Sequence, residues 1–108
     1  SESESEAARR ARAILDFHAA IDQAPAIAEL DQRLQRDADD HEARHLLAVR
    51  LLLDGDHPAA LDALLELLRR DRQYGDDLAR KSLVQALLVV EDPALASATR
   101  RTMSSLLF

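Results

Sequence analysis

Residues 41–71 read HEARHLLAVRLLLDGDHPAALDALLELLRRD. The stretch divides at Asp54-Gly55-Asp56-His57-Pro58 into two apolar segments. In the first, Leu46, Leu47, Ala48, Val49, Leu51, Leu52 and Leu53 cover nearly every face of a helix, which marks an element enclosed by its neighbours. In the second, Leu61, Leu64, Leu65 and Leu68 form one stripe at the spacing of an amphipathic helix. Gly55 suits the left-handed position that ends a helix. Asp56-His57-Pro58 then opens the next one. Upstream, Asp39 lies three residues before Glu42, the spacing of a capping box, and predicts a helix over about Asp40 to Asp54.

The same reading extends in both directions. A first helix is expected from about Glu6 to Asp22, with Ile14, Phe17 and Ile21 in register, and Pro25 breaks it. Ile27, Leu30 and Leu34 mark a second. Beyond Gly75 a fifth begins near Asp76 and carries Ala79, Leu83, Leu87 and Val90. Asp92-Pro93 is a start signal for a sixth, with Leu95, Thr99, Thr102 and Leu106 on one face and Met103 and Leu107 beside it. Connections of a few residues predict that successive helices pack as antiparallel neighbours.

Composition agrees. The 108 residues include 20 Leu and 20 Ala against 2 Gly, 3 Pro, 4 Val and 3 Ile, so an all-α fold of five or six helices is expected. No apolar run reaches the roughly 18 residues of a membrane span. There is no cysteine, hence no disulfide, thiolate nucleophile or Cys-based metal site. Net charge is −6, of which the three glutamates of Ser1-Glu2-Ser3-Glu4-Ser5-Glu6 supply half. That run, residues 1–6, has nothing apolar to bury and is expected to be a disordered tail or linker ahead of a helical domain over 7–108. Ser1 in place of Met points to a processed chain or a piece of a longer one. An acidic balance argues against nucleic-acid binding. Few loop residues and no phosphate loop or triad elbow argue against catalysis and for a cofactor-free interaction module.

Helix pairs of this length invite a test for repeats. With His41 as position 1, Ala48 falls at 8, Gly55 at 15, Ala60 at 20 and Asp71 at 31. These are the small, glycine, alanine and aspartate positions of the 34-residue tetratricopeptide repeat, which the segment resembles. Ala48 and Ala60 would then mark where two helix axes cross closely. Upstream, Ala26, Leu30, Leu34 and Asp37 fit a second helix whose first helix is irregular. Residues 75–108 keep the repeat length and lose the consensus.

The order of motifs narrows the resemblance. Arg36-Asp37-Ala38-Asp39-Asp40-His41-Glu42-Ala43-Arg44, Gly55-Asp56, Ala60-Leu61-Asp62-Ala63-Leu64-Leu65, Arg69-Arg70-Asp71 and Asp76-Asp77-Leu78-Ala79-Arg80-Lys81 lead to a closing Arg100-Arg101-Thr102-Met103-Ser104-Ser105-Leu106-Leu107-Phe108. From about Ile14 onward this resembles the C-terminal tetratricopeptide-like region of YbbN/CnoX-type thioredoxin-like co-chaperones. The resemblance implies a bacterial, cytoplasmic interaction module that docks a chaperonin or an unfolded client through its C-terminal helix. By carry-over, Arg100, Arg101, Leu106, Leu107 and Phe108 become contact candidates. Structural bracing of a neighbouring domain, or homo-oligomerisation, is the alternative.

Two further constellations call for weighing. Positions 2, 5, 9 and 12 of the repeat, here Glu42, His45, Val49 and Leu52, line the concave groove of tetratricopeptide arrays; preceding helices could equally cover them. His41-Glu42-Ala43-Arg44-His45 matches the zinc-protease pattern H-E-x-x-H, in which two His share a helix face and the Glu activates a metal-bound water. Here the pattern lies in a first helical turn, lacks a downstream Gly or His at metzincin spacing, and finds only Glu66 as a third ligand. Those features indicate a helix terminus; no metal is expected. His18 and His57 have no partners at ligand spacing.

Overall fold

The computed structural model describes residues 5–108. The chain forms α1 (Glu6–Ala20), α2 (Ile27–Arg36), α3 (His41–Leu53), α4 (His57–Arg70), α5 (Tyr74–Val89) and α6 (Pro93–Leu107). No strand occurs among the described residues. Residues 1–4 of the expected tail lie outside that range. Ser5 and Glu6 belong to the fold: the Ser5 hydroxyl accepts the Ala8 N–H at 3.1 Å, and Glu6 is the first residue of α1. A carboxylate there faces the positive end of the helix dipole.

The α3–α4 hairpin follows the sequence closely. The Gly55 N–H bonds to the Leu52 carbonyl and the Asp56 N–H to the Leu51 carbonyl, at 3.1 and 2.9 Å. This is a Schellman ending, and it requires the φ of +91° that Gly55 adopts. The Asp56 carboxylate caps α4 by accepting the Ala59 N–H. Ala48 and Ala60 are both 0 % exposed, as a close crossing requires.

The start of α3 shifts by one residue from its expected place. Asp40, not Asp39, is the N-cap, accepting the Ala43 N–H at 3.0 Å. A tight turn makes the difference. The Asp37 carboxylate takes the Asp39 N–H, and the Asp37 carbonyl takes the Asp40 N–H. The Arg33 guanidinium of α2 then grips both oxygens of Asp40 at 2.9 Å. Glu42 accepts from the same guanidinium instead of completing a capping box, and Asp39 pairs with Arg70.

The fifth helix departs further. Gly75, Asp76 and Asp77 are all left-handed, with φ of 61°, 58° and 66°, before the right-handed helix runs on to Val89. Left-handed geometry costs an L-residue roughly 1–2 kcal/mol, less for Asp, whose short polar side chain can bond locally. The two carboxylates are engaged by Lys81 and Arg80 further along α5.

Central α3 packs on α4, α2, α1 and α5, while α4 also supports α5 and α6. The largest enclosed side chains are Leu30, Val49, Leu61, Leu64, Leu67 and Leu83. Two successive pairs approach each other less closely than short connections predict. α1 lies across α5 and α3 rather than on α2, and α5 and α6 each lean on α4 without closing on one another. On α6 the buried residues are Ala96, Thr99 and Met103, a stripe turned from the expected one; Leu95 and Leu106 are half-buried at its edge and Thr102 bonds back to the Ala98 carbonyl.

Candidate functional site

The gap between α5 and α6 is a cleft of about 470 Å³. Val84, Leu87 and Leu88 form its α5 wall; Arg100, Met103, Ser104, Leu107 and Phe108 form its α6 wall. The walls are largely apolar, and two of their apolar side chains remain in water. Val84 is 48 % and Phe108 101 % exposed. Leaving such surface hydrated forgoes about 25 cal/mol for each Å² that a cover would remove. Arg100 is the one charged residue of the lining. The last turn is secured by the Phe108 N–H to the Ser104 carbonyl at 3.0 Å and by the Arg72 guanidinium on the Leu107 carbonyl.

Of the five residues carried over by resemblance, Arg100, Leu107 and Phe108 reach this cleft. Leu106 is half-buried against the core instead, and the Arg101 guanidinium donates to the Ser97 hydroxyl along α6. The α5 wall was not anticipated. Its signal was nonetheless present: residues 83–90 read LVQALLVV, broader than the single stripe of a half-buried helix. Val84 and Leu88 are four apart on the face that the core stripe leaves over.

The second candidate surface is placed differently. Glu42 is exposed, but Val49 and Leu52 share one buried cluster with Ala13 and Phe17 of α1. His45 is largely enclosed, and its Nε2 lies 3.1 Å from the Ser82 hydroxyl of α5. Burial disfavours the imidazolium and lowers the His45 pKa.

The residues of the H-E-x-x-H pattern are engaged separately. The His41 ring meets that of Tyr74 at a 57° tilt, centroids 5.3 Å apart, and lies 3.7 Å from Asp71, whereas His45 faces Ser82. Glu66 receives Arg70 at 2.7 Å and Arg69, and the Arg70 bond holds its carboxyl below the usual range. No group of three or more metal-ligating side chains comes together among the described residues. His18 is exposed, and His57 is the first residue of α4, half-buried before Pro58.

Comparison with known proteins fits the close-packed α3–α4 hairpin. A tetratricopeptide repeat model matches residues 20–108. The chain belongs to the tetratricopeptide repeat family. No curated protein and no solved structure matches the sequence. Tetratricopeptide repeats generally mediate protein–protein interaction and are typically non-catalytic. The match begins where α1 ends, so the family region comprises the α1–α2 connection and α2 to α6. No helix of the described residues is long and apolar enough to cross a membrane.

Proposed function

We propose that this tetratricopeptide domain docks a helical segment of a partner protein in the α5–α6 cleft. The observation that carries the reading is the unclosed hairpin, whose facing apolar walls leave Val84 and Phe108 in water. A cleft bounded by two helices suits a third, whose apolar side chains would fill it in helix-in-groove fashion. Phe108 and Leu107 would serve as anchors, since large apolar side chains at the centre of an interface carry most of its energy. Arg100 on the rim favours an acidic residue beside the partner's anchors, and Arg101 adds positive charge nearby. Resemblance of the closing Arg-Arg…Leu-Leu-Phe segment to thioredoxin-like co-chaperones points to a chaperonin as that partner and to the bacterial cytoplasm as the setting.

The test uses purified chaperonin and full-length chain in calorimetry or biolayer interferometry. Deleting the last helix is unsuitable, because Met103 belongs to the core. Val84→Asp and Phe108→Ala alter exposed positions and leave the core intact. Each is expected to weaken chaperonin binding at least tenfold with circular dichroism unchanged. Undiminished binding by both variants would refute cleft docking. Self-association that these variants abolish, seen by light scattering, would instead favour the dimerisation alternative.

A further inference from the structure

The two walls of the α5–α6 cleft differ in chemistry. The α5 wall is wholly aliphatic, whereas the α6 wall sets Arg100 and Ser104 among apolar side chains. Four residues apart, these two lie one above the other on a single helix face. Both have unused hydrogen-bonding capacity. The Arg100 guanidinium has no hydrogen bond or ion pair among the described residues, although acidic groups outnumber basic ones by 20 to 14. Carboxylates on the same two helices are engaged elsewhere: Asp76 by Lys81, Asp77 by Arg80, and Asp92 as the cap of α6. Along α6 the hydroxyls of Ser97, Thr99, Thr102 and Ser105 are each hydrogen-bonded, and that of Ser104 is not.

A cation and a hydroxyl together at one place, with hydrocarbon around the rest, form the lining that suits an amphipathic anion. A guanidinium pairs with a carboxylate through two parallel hydrogen bonds. Arg100 is exposed, so the anion keeps much of its hydration and escapes the cost of burying a charge. The tail gains instead, in proportion to the apolar area it covers. Size agrees as well. The cleft of about 470 Å³ falls within the range of small-molecule sites, about 300–1,000 Å³. Arg100 and Phe108 are eight residues apart, about 12 Å along the helix axis. A saturated chain of about ten carbons spans that length.

We infer that the α5–α6 cleft binds a free medium-chain aliphatic carboxylate, its head group on Arg100 and Ser104 and its tail between Val84, Leu88 and Leu107. The ligand occupies the space assigned above to a partner helix, so the two exclude one another and the carboxylate regulates docking. This inference rests on the docking reading only in taking the cleft as a site open to an occupant; the partner's identity does not enter it. Arg101 does not substitute for Arg100, because its guanidinium is turned along α6 to Ser97.

The probe is dodecanoate, titrated calorimetrically into the full chain below its micelle-forming concentration. Saturation at one ligand per chain is expected. Arg100→Gln, which removes no contact of the fold, is expected to weaken binding at least fivefold, and Val84→Asp at least tenfold, with circular dichroism unchanged. Dodecyltrimethylammonium, with the same tail and a cationic head, is expected to bind at least tenfold more weakly. Equal binding of the two amphiphiles, uptake of many ligands per chain, or indifference to both substitutions would overturn the inference. Flotation of the chain with phosphatidylglycerol vesicles, without saturable dodecanoate binding, would overturn it in favour of a membrane surface. Chaperonin binding without dodecanoate binding would overturn it and leave the docking reading standing. Dodecanoate binding that Val84→Asp abolishes, with chaperonin binding untouched by the same substitution, would uphold it and remove the docking reading alone.

Discussion

The two glycines offer a matched pair in which backbone conformation and side-chain contact separate. Both are left-handed, at φ +91° for Gly55 and +61° for Gly75. A Cβ added at Gly55 meets nothing within 4 Å, so Gly55→Ala pays only the conformational cost, about 1–2 kcal/mol. At Gly75 the added Cβ lies 3.1 Å from Leu78 Cβ and 3.3 Å from its Cδ2, tighter than ordinary packing. Moving half-buried Leu78 adds an overpacking cost of about 1 kcal/mol, the low end for such strain, so Gly75→Ala should cost about 2–3 kcal/mol. Gly75→Asn isolates the contact: asparagine tolerates left-handed geometry but carries the same Cβ. Urea unfolding followed by circular dichroism reads all three, with an unchanged slope showing that the folded and unfolded states keep their extents. Thermal midpoints should fall about 4–8 °C per kcal/mol. A Gly75→Ala loss no greater than that of Gly55→Ala would refute the contact argument. A Gly55→Ala loss near zero would refute the Schellman ending. Gly75 is the more consequential of the two, because the turn it begins aims α5 and therefore shapes both the cleft and the cradle of α1.

Removing the α3 cap by Asp40→Ala should cost about 1–2 kcal/mol and leave Arg33 without its principal partner, measurable by the same urea titration. The Arg33 bonds hold the Asp40 carboxyl below the ordinary carboxylate range, so its stabilisation is present above the unfolded pKa of about 3.9 and is lost as pH falls through the lower folded value. Asp40→Asn should accordingly flatten the decline in stability below about pH 4; an unaltered pH profile would exclude Asp40 as its source. At the helix crossing, Ala60→Leu inserts three carbons where exposure is 0 % and should cost about 1–3 kcal/mol by thermal unfolding, whereas a neutral outcome would contradict the close approach of α3 and α4.

What could be read from the residues, and what could not, divides along the range of the forces involved. Asp56, Gly55 and Asp92 act within one turn of chain, and each stands where local capping chemistry puts it. Ala48 and Ala60 were legible because a known repeat spacing links them. The Asp39–Asp40 choice was not, since both are good caps and the decision comes from Arg33 on another helix. The left-handed turn at 75–77 was hidden for a similar reason: only Gly75 is a usual left-handed residue, and Asp76 and Asp77 read as an ordinary acidic first turn. At the candidate site, Leu107 and Phe108 stood out by resemblance, but Val84 and Leu88 stood inside an apolar run that looked like core. That Val84 is exposed and Leu88 only half-buried depends on α6 not closing over α5, a tertiary outcome that no single helix encodes.

The placement of α1 also sets an order of events in time. The Asp16–Gln85 contact joins residues 69 positions apart, whereas α3 and α4 meet through a tight turn. Closing a loop of that length is entropically expensive until both ends are pre-shaped, so the α3–α4 hairpin forms early and α1 settles late. During synthesis at about 5–20 residues per second, α5 follows α1 by roughly 3–14 s. For that interval Phe17 and Ile14 have no cradle to enter, and the chain emerges with its first amphipathic helix seeking a partner.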